Sequence, residues 1–135
     1  MKNAVSKDTA RLLRKVQKRI LAEPRQFVMW SYFTSSIPNT PNCGTAACIA
    51  GWTIAESQKL NPQQANNFVQ DHGYDDHELA KKRLGITHRQ ANHLFYDESW
   101  PAPFRDQYRK LPHNQRMRRA RVAVARIEHF IKTGE

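Results

Sequence analysis

Residues 44–55, Gly44-Thr45-Ala46-Ala47-Cys48-Ile49-Ala50-Gly51-Trp52-Thr53-Ile54-Ala55, constrain the fold more than any other part of the chain. Thr45 is suited to cap a helix, and beyond it everything except Thr53 is small or apolar. A helix apolar on all sides has no face for water and belongs at the centre of a domain. Ala47, Gly51 and Ala55 recur every four residues and leave one face nearly bare of side chains, so a neighbouring helix can approach closely there. The pattern predicts a buried central helix over about 45–56, with Cys48 and Trp52 in the core.

The segments on either side read as short amphipathic helices separated by proline and glycine signals. Over residues 8–22, Leu12, Leu13, Val16 and Ile20 share one face, and Lys7, Arg14, Lys15 and Lys18 lie on the other. Pro24 suits the first turn of a second, short helix carrying Phe27, Val28, Met29, Trp30, Tyr32 and Phe33, an aromatic cluster expected to pack the core. Residues 35–42 read as loop. Asn61-Pro62-Gln63-Gln64 and Thr87-His88-Arg89-Gln90 have the form of capping boxes. Asp75 or Asp76 caps a helix that stops at Leu84, with Gly85 as its left-handed terminator. Trp100-Pro101-Ala102-Pro103 reads as a rigid turn before a short helix. Over about 114–132, Met117, Ala120, Val124, Ile127 and Ile131 form one stripe, with Arg118, Arg119, Arg121 and Arg126 on the remaining surface. No strand is evident. The expected class is all-α: a single domain over 1–135 with about six to eight helices around the central one.

Charge sets the classes of partner. The 135 residues carry 22 Lys+Arg against 12 Asp+Glu, a formal net charge of +10. The excess is uneven: 8 basic and 2 acidic residues over 1–25, 1 and 5 over 26–80, and 13 and 5 over 81–135. Basic ends around an acidic middle point to a polyanion, either nucleic acid or an acidic protein face. No apolar run approaches the roughly 20 residues of a membrane span, the N-terminus has no apolar stretch of a signal peptide, and two cysteines make no disulfide framework. A reduced, cytoplasmic setting without a membrane role is expected.

Residues 43–52 (Cys-Gly-Thr-Ala-Ala-Cys-Ile-Ala-Gly-Trp), together with Leu84-Gly85-Ile86-Thr87, Leu94-Phe95-Tyr96, Trp100-Pro101 and Arg126-Ile127-Glu128-His129-Phe130-Ile131, resemble a family of small uncharacterised bacterial proteins. The resemblance spans roughly residues 10–134. It implies one helical domain and assigns no catalytic residue.

Three constellations carry candidate chemistry. Cys43 lies just ahead of the expected central helix, where free N–H groups and the helix dipole lower a thiol pKa. The block faintly resembles the Cys-Gly-Ser-Cys-Trp segment of papain-like proteases, with two extra residues between the cysteines. His93, His113 and His129 are available as bases. The run Asp71-His72-Gly73-Tyr74-Asp75-Asp76-His77-Glu78 is rich in donor groups but misses the calcium-loop spacing. Helix capping accounts for it, and neither a metal nor a cofactor is expected. Residues 79–94 resemble a helix-turn-helix whose second helix displays His88, Arg89, Gln90, Asn92 and His93, although Lys81 falls where the motif wants a small residue. The favoured function is a non-enzymatic basic binding protein with Arg14, Lys15, Lys18, Arg89, Arg118, Arg119 and Arg121 as contacts for nucleic acid or an acidic partner. A thiol enzyme using Cys43 and a protein-interaction module such as an inhibitor or adaptor are the alternatives.

Overall fold

The computed structural model describes residues 4–34 and 45–135. Helix α1 (Lys7–Ala22) starts where the Ser6 side chain accepts from the backbone N–H of Thr9, and it buries Leu13, Val16 and Ile20 together with Thr9 and Gln17. The central helix α2 (Ile49–Gln58) is buried at every position from Ile49 to Ala55. As expected of a helix with no polar face, it touches most of its neighbours: α3 (Pro62–His72), α4 (Asp76–Leu84), α5 (His88–Phe95) and α1 all pack on it. Two further helices, α6 (Ala102–Lys110) and α7 (Arg116–Thr133), complete seven among the described residues, and α7 lies against α1, α5 and α6. No helix among them is long and apolar enough to cross a membrane.

The all-α expectation holds, with one small exception that alters the central segment. Helix α2 begins at Ile49, with Cys48 in extended conformation as its N-cap and Thr45 no part of it. The residues just before it form β2 (Ala46–Ala47), antiparallel to β1 (Phe33–Thr34), in the register Phe33↔Ala47 and Thr34↔Ala46. Ala47 also bridges Phe27, and the Val28 N–H donates to its carbonyl at 3.1 Å. Buried peptide groups must be paired, and here the partners come from residues 26–34. Gln26 Nε2 donates to the Thr45 carbonyl at 3.1 Å, and the Thr45 hydroxyl donates to Gln63 Oε1 at 2.7 Å.

That pairing also corrects the expected second helix. Only Pro24–Gln26 forms a single 3₁₀ turn, and Phe27 to Thr34 run on without helix, as aromatic and branched side chains favour. The capping signals, by contrast, act where they were read. Asn61/Gln64 and Thr87/Gln90 form reciprocal capping boxes, Asp75 caps α4, and Gly85 ends it at φ 67°.

On α7 the buried face is wider than the stripe read from the sequence. Packing on three helices buries Ala120, Ala123, Arg126, Ile127, Phe130 and Ile131, whereas Met117 is 39% exposed. Arg126 is fully buried and is not a surface cation.

Candidate functional site

The two most basic helices lie side by side. The Val5 N–H donates to the Ile131 carbonyl, Arg14 pairs with Glu128 at 2.8 Å, Gln17 Nε2 donates to the Val124 carbonyl, and Arg116 Nη1 donates to the Arg25 carbonyl. These contacts fix α1 and α7 as antiparallel. They place Arg118 and Arg121, in the first two turns of α7, level with the second half of α1, where Lys18 is exposed. Leu21 and Met117, 38% and 39% exposed, lie at the same level. Lys15, Lys18, Arg118 and Arg121 have no hydrogen-bond or ion-pair partner among the described residues.

The other expected contacts are placed differently. Arg14 is tied to Glu128. Arg119 is built into the fold: its Nε donates to the Leu111 carbonyl, Nη1 lies 3.2 Å from His113 Nδ1, and the guanidinium sits 4.5 Å over the Tyr108 ring. Arg89 lies away from Arg118 and Arg121, at the C-terminal end of α7. There it borders a cavity of about 210 Å³ with Thr87, Gln90, His93, Gly134 and Glu135.

One exposed side chain escaped the sequence reading. Trp30 is 53% exposed, while Trp52 and Trp100 are buried. Its ring meets His113 edge-on, with centroids 5.2 Å apart. Phe27, Val28, His113, Arg116 and Arg119 surround it, and it also borders a cavity of about 220 Å³ with Met29, Ser31, Tyr32, Cys48, Phe95 and Tyr96. Partial burial, with Arg119 and Arg25 nearby and Tyr108 opposing them, holds the Arg116 guanidinium below its ordinary range. Reading residues 27–33 as a core helix concealed Trp30. As an extended segment, the same residues bury Phe27, Val28 and Met29 and turn Trp30 out to solvent.

Cys43 lies outside the described residues. Activation of that thiol requires a helix start beside it, and the residue at the start of α2 is Cys48. Burial raises the Cys48 thiol to about 11, outweighing the N–H groups of Gly51 and Ala50 that favour its thiolate. Cys48 is therefore inert as a nucleophile at neutral pH.

The corner from α4 through Gly85 to α5 has the burial expected of a helical corner, with Ala80, Leu84, Ala91 and Leu94 inside. Lys81 bonds to Glu78 on its own helix. Two of the side chains expected to read bases are engaged elsewhere. Gln90 caps α5 and donates to the Gly134 carbonyl, and Asn92 Oδ1 lies 3.1 Å from His77 Nε2. At the same corner, His77, Glu78 and His88 converge, although the acidic run had pointed only to residues 71–78. Compared with known proteins, the chain matches no family model, no curated protein and no solved structure.

Proposed function

We propose that this chain is a non-enzymatic binding protein for single-stranded nucleic acid, held along the α1–α7 face. The observation that carries the reading is the alignment of two basic helices whose cations Lys18, Arg118 and Arg121, unpaired among the described residues, stand at one level of the pair. Lysine and arginine on such a face take up phosphates through counterion release, irrespective of base sequence. An acidic protein surface would satisfy the same charges. Trp30 favours nucleic acid, because an exposed aromatic ring beside guanidinium groups is the platform on which unpaired bases stack.

The test is a salt series of affinities for single-stranded DNA and RNA 12-mers, the matched duplex and heparin. Only Trp30 among the three tryptophans is exposed, so quenching of tryptophan emission reports stacking directly. The single strands bind tighter than duplex or heparin and quench emission, and Trp30→Ala removes that preference. Absence of binding at low ionic strength overturns the polyanion reading as a whole. Equal affinity for heparin and strands, with no quenching, overturns the single-strand form and leaves the acidic partner.

A further inference from the structure

The N-terminal turn of α4 and the first residue of α5 face each other across the corner at Gly85. His77, Glu78 and His88 each offer one ligand atom there, and these atoms all lie within 4.8 Å of one another. His77 is held on three sides. Its ring stacks on Tyr96 with planes 7° apart, meets the Phe95 ring edge-on, and places Nε2 3.1 Å from Asn92 Oδ1. An amide oxygen only accepts, so Nε2 carries the ring proton and Nδ1 presents a lone pair. That Nδ1 lies 3.8 Å from Glu78 Oε1, and the His88 ring is centred 5.2 Å from that of His77. A lone pair and a carboxylate oxygen at this range can both turn onto one cation. An imidazole oriented through its second nitrogen by an acceptor is the arrangement found behind metal-bound histidines.

We infer that His77, Glu78 and His88 form a binding site for one divalent d-block cation of the zinc class. Two imidazoles and one carboxylate suit Zn²⁺, Co²⁺ or Ni²⁺ and not the oxygen-seeking Ca²⁺ or Mg²⁺. Bonds of roughly 2.0–2.2 Å require the ligand atoms to close in by about 1 Å. His88 and Glu78 are both exposed and free to make that movement, while His77 stays fixed. Lys81, whose Nζ lies 2.9 Å from Glu78 Oε2, is the resident competitor, and the ion displaces it. Three protein ligands leave the remaining coordination to water. The bound ion ties α4 to α5 and fixes the angle of the corner. This site is independent of the α1–α7 face, and neither proposal depends on the other.

The experiment uses the untagged chain after chelator dialysis. It is titrated calorimetrically with Zn²⁺ and, in parallel, with Co²⁺ followed by its visible spectrum. One ion binds per chain, and Mg²⁺ in excess does not compete. His88→Ala, at an exposed position that leaves the core intact, abolishes binding. Asn92→Ala weakens it by about 10- to 100-fold, the usual effect of removing the partner behind a liganding histidine. Lys81→Met, which frees Glu78, tightens it. Binding that survives His88→Ala, a cobalt spectrum with thiolate character, weaker binding by Lys81→Met, or no uptake at millimolar ion would overturn the assignment.

Discussion

Gly51 lies directly against the backbone of Tyr32. A Cβ built on Gly51 would overlap the Tyr32 carbonyl oxygen and stand 2.8 Å from the Ala47 Cβ. The close approach read from the spacing of Ala47, Gly51 and Ala55 is therefore real, but it is made by an extended strand segment and not by a helix. Gly51→Ala forces that segment away from α2 and breaks packing at the centre of the core. A loss of about 3 kcal/mol is expected, at the upper end for overpacking, measured by urea denaturation. An unchanged midpoint would mean that the 27–34 segment yields without cost.

Arg119 and Arg121 are two residues apart on α7 and are expected to respond in opposite ways. Arg119→Ala removes a hydrogen bond to Leu111 and the guanidinium over Tyr108, at a cost of about 1–2 kcal/mol. Arg121→Ala leaves stability within about 0.5 kcal/mol, as at an ordinary exposed site. It instead lowers the slope of log affinity against log salt by about 1. Thermal melts and the salt series on the two variants separate the roles.

What the sequence reveals divides by range. The caps at Asn61, Asp75 and Thr87 and the stop at Gly85 are legible because each is decided within four residues of chain. The conformation of residues 45–48 is not, because the groups that pair Thr45 and Ala47 arrive from Gln26, Val28 and Phe33. Neither is the burial of Arg126. A stripe at helical spacing shows that one face is covered, but not that three helices converge to widen it. The contact candidates divide in the same way. Among the described residues Lys18, Arg118 and Arg121 stay free as their polarity suggests, while the partner of Arg14 comes from a distant segment and those of Arg119 from the end of α6 and the turn before α7.

Cys48 provides a control on thiol chemistry. Its burial and a thiol raised to about 11 protect it from alkylation in the native chain. Iodoacetamide at pH 8 followed by peptide mass analysis finds Cys48 unmodified in the folded protein and modified in denaturant. Native-state labelling of Cys48 would show that the 45–48 segment opens readily.

Glu128 makes the α1–α7 pairing sensitive to acid. Its bonds with Arg14, and then with Gln17, hold its carboxyl below the usual carboxylate range. A carboxyl whose folded pKa is lowered adds stability above its unfolded value, and loses it as the pH falls through the lowered folded value. The pair is largely solvated, so its contribution is on the order of 0.5 kcal/mol and falls with salt. Glu128→Gln is therefore less stable than the parent at pH 7, and the difference shrinks on acidification towards pH 3. The check is urea titration at both pH values in low and high salt. A difference that persists at pH 3 would assign the effect to packing.

Arg126 is fully buried with its Nη2 on the His93 carbonyl at 3.0 Å, the Phe130 ring beside it, and neither Nε nor Nη1 bonded. Burial lowers its guanidinium to about 10. A base whose folded pKa is lowered disfavours the fold wherever it is charged, and the relief comes only as the pH rises above about 10. At neutral pH the penalty is therefore fully in place. Arg126→Met fills much of the same volume without the charge and is expected to raise stability by about 1 kcal/mol, as replacing buried ions by apolar side chains often does. Arg126→Ala removes the packing as well and lowers stability by about 2 kcal/mol or more through the cavity it leaves. Denaturation midpoints of the pair separate charge from volume. If Arg126→Met is less stable than the parent, the guanidinium contributes more through His93 and Phe130 than its desolvation costs.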